Sequence, residues 1–251
     1  MNIVDKVTST RYIIKEILKE EWDTSSIADL SPIEVEKMYT IPSAKVTSLT
    51  PFGVASGCNF TLKHKFIPSH RLHVIYYNFP EIGRLNSKVT KSACEKLNKL
   101  YEDKIINNED SLLIIINDTI SESLETSFYD LNINLQTLFE SIDLDSQIID
   151  EMKENDFPLE KKHFRNVHLF DINTLTNNLL KHRLIPVHKP IRTKEEINKI
   201  LKKCNCSLKQ LPVILKNDKM SKLIRLAPGD ICEITRKSVK CGVYPFYRVC
   251  K

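Results

Sequence analysis

Residues 184–251 read LIPVHKPIRTKEEINKILKKCNCSLKQLPVILKNDKMSKLIRLAPGDICEITRKSVKCGVYPFYRVCK. Their turn and helix signals are dense enough to outline a small domain. Thr193 precedes Lys194-Glu195-Glu196, so Thr193 and Glu196 have the spacing of a capping box and predict a helix start. Ile197, Ile200, Leu201 and Cys204 then recur at helical spacing as one apolar stripe. Pro212 disfavours helical backbone at Leu211, which makes Gln210–Ile214 extended. Asp218 is placed to cap a short helix carrying Met220, Leu223 and Ile224. Pro228-Gly229-Asp230 is a turn signal, Ile231–Arg236 a strand and Val243–Cys250 its partner. Pro245 lacks a ladder donor, so the second of these strands belongs at a sheet edge or is bulged there.

Leu184-Ile185-Pro186 with His188, Thr193-x-x-Glu196, Gln210-Leu211-Pro212, Asp218, Gly229-Asp230, Thr235-Arg236-Lys237-Ser238, Gly242-x-Tyr244 and Tyr247-Arg248-Val249-Cys250 follow one another in a characteristic order. In that order and spacing they resemble the C-terminal assembly domain of the fifth subunit shared by the eukaryotic nuclear RNA polymerases, a family that includes its archaeal counterpart. The chain departs from that family's pattern where Lys219 stands for Pro, Arg225 for Gly, Val243 for a basic residue and Pro245 for a small or β-branched one. The resemblance implies a non-catalytic subunit of a multisubunit DNA-directed RNA polymerase. Its assembly domain, residues 163–251, anchors on the largest subunit and the rest of the core. Its jaw domain, residues 1–162, lies beside downstream double-stranded DNA, touching it weakly and without sequence preference. The assembly residues so nominated are Pro186, His188, Pro212, Asp218, Gly229, Arg236, Gly242, Tyr247 and Arg248. No catalytic residue, metal ligand or cofactor is implied, because the Mg²⁺-holding aspartates of that family belong to the large subunits.

Charge divides the chain in a compatible way. Residues 164–251 hold 19 Lys+Arg and 6 Asp+Glu, a net +13, and the remainder holds 18 and 26, a net −8. A strongly basic domain suits nucleic acid, an acidic protein surface or plain solvation. The resemblance favours the protein surface. At 251 residues the chain is long enough for one large or two ordinary domains. No apolar run approaches the ~18 residues of a membrane span, and the first residues lack a signal-peptide layout. These features keep the expected location on the cytosolic or nuclear side of membranes, and the resemblance implies the nucleus for a cellular protein, or the host cytoplasm and virion for a viral one. The 29 isoleucines beside 5 glycines point to an AT-rich genome, such as that of a large DNA virus or a parasite. Seven scattered cysteines read as free thiols.

Along the first part, Ser9–Trp22 reads as a helix with Tyr12, Ile13, Ile17 and Leu18 on its apolar face. Ser31-Pro32-Ile33-Glu34 opens a second helix, with Pro32 at its first position. Thr47–Cys58 is loop-like, and Asn59–Phe66 and Arg71–Tyr77 are strands. Lys63, His64, Lys65, His70 and Arg71 form a basic group interleaved with Phe60 and Phe66. Lys63, Lys65 and Arg71 are its candidate DNA-proximal residues, and a charged hairpin in solvent is the alternative. Val89, Ala93, Leu97, Leu100 and Tyr101 space out a helix, and Ser111–Ile116 is a buried strand. A further helix starts at Ser121, and Leu138-Phe139 begins a strand. Asp143–Lys162 is a charged boundary, Val167–Phe170 a strand opening the second domain, and Leu175, Leu179 and Leu180 lie on a helix. The class is α/β and α+β: a jaw of small α/β layers, then an assembly domain with a small mixed sheet and helices.

The chain has no Gly-rich phosphate loop, GxSxG, HExxH or dinucleotide fingerprint. Asp118, Asp130 and the pair Asp143-x-Asp145 leave open a metal-dependent nuclease, with a solvated acidic turn as the plainer reading. A free-standing nucleic-acid-binding protein using the basic domain is the other alternative. His188 reads as a structural hydrogen-bonder, and Arg248 as a group for a partner's carboxylates or for an internal salt bridge.

Overall fold

The computed structural model describes residues 2–40, 54–84, 88–240 and 242–251. Close contacts gather the chain into two units, Met1–Phe157 with Phe164–Asn177, and Pro158–His163 with Asn178–Lys251.

The first unit begins with helix α1 (Ile3–Leu18), strand β1 (Trp22–Asp23) and helix α2 (Pro32–Thr40). Helix α1 starts earlier than the apolar pattern predicts. Asn2 and Asp5 close a capping box, with Asn2 Oδ1 accepting from the Asp5 N–H at 2.8 Å and Asp5 Oδ2 from the Asn2 N–H at 3.3 Å. The inward line is Val4, Val7, Ile14 and Leu18, while Tyr12 is 62% exposed. Helix α2 starts as predicted, with Pro32 at its first position and the Ser31 N–H and hydroxyl both donating to Glu34 Oε2 at 2.8 Å. Of the expected loop at 47–58, Val54–Cys58 forms a 3-10 turn. Residues 47–53 lie outside the described residues, as does Cys241.

Strands β2 (Phe60–His64), β3 (Arg71–Tyr77), β4 (Ser111–Ile116) and β5 (Val167–Asp171) complete a sheet ordered β1-β2-β3-β4-β5. Pairing is antiparallel through β3 and parallel from β3 to β5. Helices α3 (Ser92–Glu102) and α4 (Glu122–Glu140) pack Leu97, Leu100, Leu124, Phe128, Leu131 and Leu135 against Ile75, Ile114, Ile116 and Leu169. Alternation sends Val74, Tyr76, Leu113 and Ile115 to the other face, where Thr10 of α1 meets the Tyr76 hydroxyl at 3.0 Å. The sheet is thus sandwiched between helices, which is why β4 is apolar on both sides.

Further expectations change along this part of the chain. Leu138 and Phe139 belong to α4, because the stripe Leu124, Phe128, Leu131, Leu135, Phe139 runs unbroken through them. The charged segment 143–162 contains helix α5 (Ser146–Glu154), which Asp145 caps by accepting from the Gln147 N–H at 3.0 Å. The strand predicted to open the second domain is β5, which pairs with β4 along Leu112–Ile116 and therefore completes the first sheet. Leu175, Leu179 and Leu180 sit on two 3-10 turns, Ile172–Leu175 and Leu179–Lys181, and not on an α-helix.

The second unit is a four-stranded sheet, order β6-β8-β9-β7, built from β6 (Val187–Ile191), β7 (Val213–Ile214), β8 (Ile231–Ser238) and β9 (Gly242–Cys250). Helix α6 (Lys194–Cys204) covers one face, packing Ile197, Ile200 and Leu201 on Ile191, Ile231 and Val249. Its Thr193 cap accepts from the Glu196 N–H at 3.3 Å, and its predicted stripe holds except that Cys204 is exposed. On the other face Ile214, Ile224, Leu226, Cys232, Ile234 and Cys250 form a second core, closed by helix α7 (Lys219–Leu223) and the turn after it. Asp218 caps α7 as predicted, accepting from the Met220 N–H at 2.8 Å. Strand β7 reaches only Val249 and Cys250, so Pro245 lies where the outer edge of β9 has no strand neighbour among the described residues.

Lys104 holds a left-handed backbone conformation just past the end of α3. It is exposed, has φ +53°, and follows the C-cap of α3, where the Ile105 N–H bonds back to Leu100 O at 3.0 Å. Lys104→Gly removes the left-handed strain of a non-glycine residue, so equilibrium denaturation should show a stability gain of about 1 kcal/mol with an unchanged denaturant slope.

Candidate assembly surface

The second unit is organised around Asp230, which is fully buried in the predicted turn. Its carboxylate takes the Ala227 N–H at 2.9 Å, His163 Nε2 at 2.9 Å and the Lys162 ammonium at 3.0 Å, with Arg192 Nε at 3.9 Å. His163 Nδ1 accepts from the Glu160 N–H at 3.0 Å, so the tautomer that satisfies both bonds carries its proton on Nε2. Arg192 also donates to the carbonyls of Ile224 and Arg225 at 2.8 and 3.3 Å, capping the end of α7. Burial alone pushes the Asp230 carboxyl up, but the His163 hydrogen bond and the Lys162 charge overcome it and hold the group below its ordinary value of 3.8. Burial has the expected sign elsewhere: it lowers Lys216 to about 8 and raises the thiols of Cys232 and Cys250 to about 12.

The nominated assembly residues divide by role. Several shape the unit. The Pro186 carbonyl accepts from His188 Nδ1 at 2.7 Å, and the Pro212 carbonyl accepts from the Val249 N–H at 2.9 Å. Gly229, φ +86°, donates its N–H to Cys250 O at 3.0 Å, and a Cβ there would meet Lys162 Nζ at 3.4 Å. Gly242, φ +69°, closes the β8–β9 hairpin opposite Ser238. Tyr247 pairs across the sheet with Glu233 and is hydrogen-bonded to it. Others form surface. Arg236 lies over the Phe246 ring at 4.2 Å and Arg248 at 5.5 Å, with Arg248 Nη1 donating to Val213 O at 3.3 Å. Around them Val187, Val243 and Tyr244 are exposed. Sequence reasoning assigns no role to Phe246, nor to Asp230 beyond the turn. A lone Asp after Pro-Gly is the available signal.

The basic group of the first unit is not one patch. Lys63 and Arg71 are cross-strand partners and line a cleft of about 230 Å³ with Glu109, Asp145 and Glu151. Lys65 lines another, with Lys15, Lys19, Glu20 and Asp23, and its ammonium donates to the Lys19 carbonyl. His64 and His70 are buried, stacked on each other at 5.9 Å and edge-on to Trp22. His64 Nδ1 accepts from the N–H groups of Phe66 and Ile67 at 3.3 and 3.2 Å, so this ring serves the hairpin turn rather than a phosphate. Asp145 is the cap of α5, and among the described residues no three His, Cys, Asp or Glu side chains converge to hold a metal.

With this geometry in view, residues 177–250 match the family described as RNA polymerase Rpb5, C-terminal domain. The DNA-directed RNA polymerase subunit Rpo5 of Methanosphaera stadtmanae is 43% identical over 72 residues, 29% of this chain and 92% of the relative. That of Pyrococcus abyssi is 44% identical over 72 residues, 29% of this chain and 87% of the relative. That of Archaeoglobus fulgidus is 42% identical over 71 residues, 28% and 92% of the two chains. The chain belongs to the Rpb5 family. The Gly that this family usually has in place of Arg225 now has a cause: Arg225 sits at φ +55°, in the left-handed region that favours glycine.

Asp230→Asn should destabilise the second unit by about 3 kcal/mol, the cost of removing one partner from a buried charge network. The wild-type contribution is present above the ordinary aspartate value of 3.8 and is lost as pH falls through the lowered folded value. Denaturation curves of the two proteins should therefore converge on acidification below about pH 4.

Proposed function

We propose that this chain is a non-catalytic subunit of a multisubunit DNA-directed RNA polymerase, anchored to the largest subunit through its second unit. The observation that carries this reading is the identity to Rpo5 subunits over nearly their whole length, together with a unit whose turns and caps use residues that carry the resemblance. The basic charge of residues 164–251 supports attachment to an acidic protein surface. No residue of the chain takes part in nucleotide chemistry. The chain works wherever its polymerase does, in a nucleus for a cellular enzyme or in the host cytoplasm and virion for a viral one. The structure does not favour the nuclease alternative, since among the described residues no three His, Cys, Asp or Glu side chains converge to hold a metal and Asp145 is used as a cap.

A permanent subunit of this kind buries on the order of 2,000 Å² or more in its interface. A tagged copy expressed in the native setting should therefore bring down the large polymerase subunits through washes of high salt. Recovery of the tagged chain alone would refute the assignment.

We further propose that the first unit lies beside downstream duplex DNA and touches it weakly through Lys63, Lys65 and Arg71. All three are exposed, but Lys63 and Arg71 share their cleft with carboxylates, which limits the number of phosphates they neutralise. The slope of log affinity against log salt for duplex DNA should be small, at about 0.9 per phosphate contacted. Replacing the three residues by Ala should flatten it further, and an unchanged slope would exclude them from the contact.

A further inference from the structure

The face of β8 and β9 that carries Cys232 and Ile234 in its core ends in a row of three side chains, Arg248, Phe246 and Arg236. Register explains the row. Phe246 stands opposite Ile234, Arg248 is two residues further along the same strand, and Arg236 is diagonal to Phe246 on β8. Both guanidinium groups thus lie over one ring, at 4.2 and 5.5 Å from its centroid. A guanidinium over a ring face is held there by cation–π attraction, and its unengaged N–H groups can serve a planar acceptor. Neither arginine has an ion pair among the described residues. Arg248 makes a single hydrogen bond, through Nη1 to Val213 O, and its Nε is shut off from water with no acceptor. The one carboxylate on these two strands, Glu233, points to the opposite face and bonds Tyr247.

We propose that this Arg236–Phe246–Arg248 row is the contact that receives an acidic, extended segment of the polymerase partner, with one carboxylate at each guanidinium. The proposal rests on the polymerase reading and deepens it by naming the surface and the chemistry of what binds there. Two observations favour carboxylates of a protein over phosphates of a nucleic acid. Exposed Tyr244, opposite Arg236, and exposed Val213, whose carbonyl holds Arg248, flank the row with apolar surface. Arginine and aromatic anchors set in apolar surroundings are the composition of protein–protein interface centres. The net +13 of residues 164–251 adds long-range attraction for an acidic partner.

The test uses the full chain, free and within the purified polymerase. Phenylglyoxal, which modifies accessible arginines, is applied to both, and Arg236 and Arg248 are quantified by mass spectrometry. Both should be protected in the assembly and Arg236 should react in the free chain. The double variants R236A/R248A and R236K/R248K are then compared with wild type for retention on the polymerase, with circular dichroism confirming that each is folded. Retention should fall by about tenfold or more in both, because lysine keeps the charge but not the planar fork. If wild type co-purifies while the folded variants are retained equally well, or if Arg236 reacts equally in both states, the inference fails and the polymerase assignment stands. If the variants keep the polymerase but lose affinity for duplex DNA, the row serves phosphates and the inference is overturned. If wild type itself brings down no polymerase, the assignment fails and this inference falls with it.

Discussion

The carboxylate of Asp230 is out of contact with solvent, and the second unit is arranged to keep it charged there. Moving an ion of this size out of water costs several kcal/mol even after relaxation. Four groups from three places in the chain offset that cost: the Ala227 amide from the turn itself, Lys162 and His163 from the segment 158–163, and Arg192 from the end of β6. The backbone of the same residue accepts from the Cys250 N–H at 2.9 Å, which joins the turn to the last strand. Such a network adds little net stability compared with a well-packed apolar substitute. What it supplies is a fixed geometry, because every donor must be in place for the charge to be tolerated.

From that anchor the rest of the unit follows. The turn at 227–230 delivers β8 into the middle of the sheet, where β6 and β9 pair along its two sides. Helix α6 and the α7 turn cover opposite faces near Asp230, but neither extends to the hairpin end, where Val187, Val243 and Tyr244 stay exposed. Both open edges carry a proline, Pro190 on β6 and Pro245 on the stretch of β9 beyond the reach of β7. Those residues blunt the edges against addition of another strand. The surface left open at the hairpin end is therefore made of side chains rather than of backbone, and arginine, tyrosine and valine are its material.

Much of this is legible in the sequence because the signals are local. A cap three residues from its partner, as at Thr193 and Glu196, or a Pro-Gly-Asp turn needs no knowledge of the rest of the chain. The second sheet and its helices come from such signals. Errors arise where the deciding contact is distant. Nothing within 167–171 says that β5 pairs with β4 fifty-odd residues earlier, so the sequence pattern assigns that strand to the wrong unit. The basic group of the first unit fails for a different reason. Alternation along β2 sends Leu62 and His64 inward and Lys63 outward, which the period of two can reveal, but counting charges by residue type ignores the faces. The Asp230 network and the Arg236–Phe246–Arg248 row are assembled from side chains that meet only after folding, and no spacing announces them.

If the chain is a polymerase subunit, the unit formed by residues 178–251 is held by a transcribing assembly. Electron microscopy of the polymerase purified from the native source through one of its other subunits would show this placement. Density is expected for the four-stranded sheet, seated against the largest subunit with the hairpin end of β8 and β9 in the interface. A complete and transcriptionally active particle without this chain would contradict it.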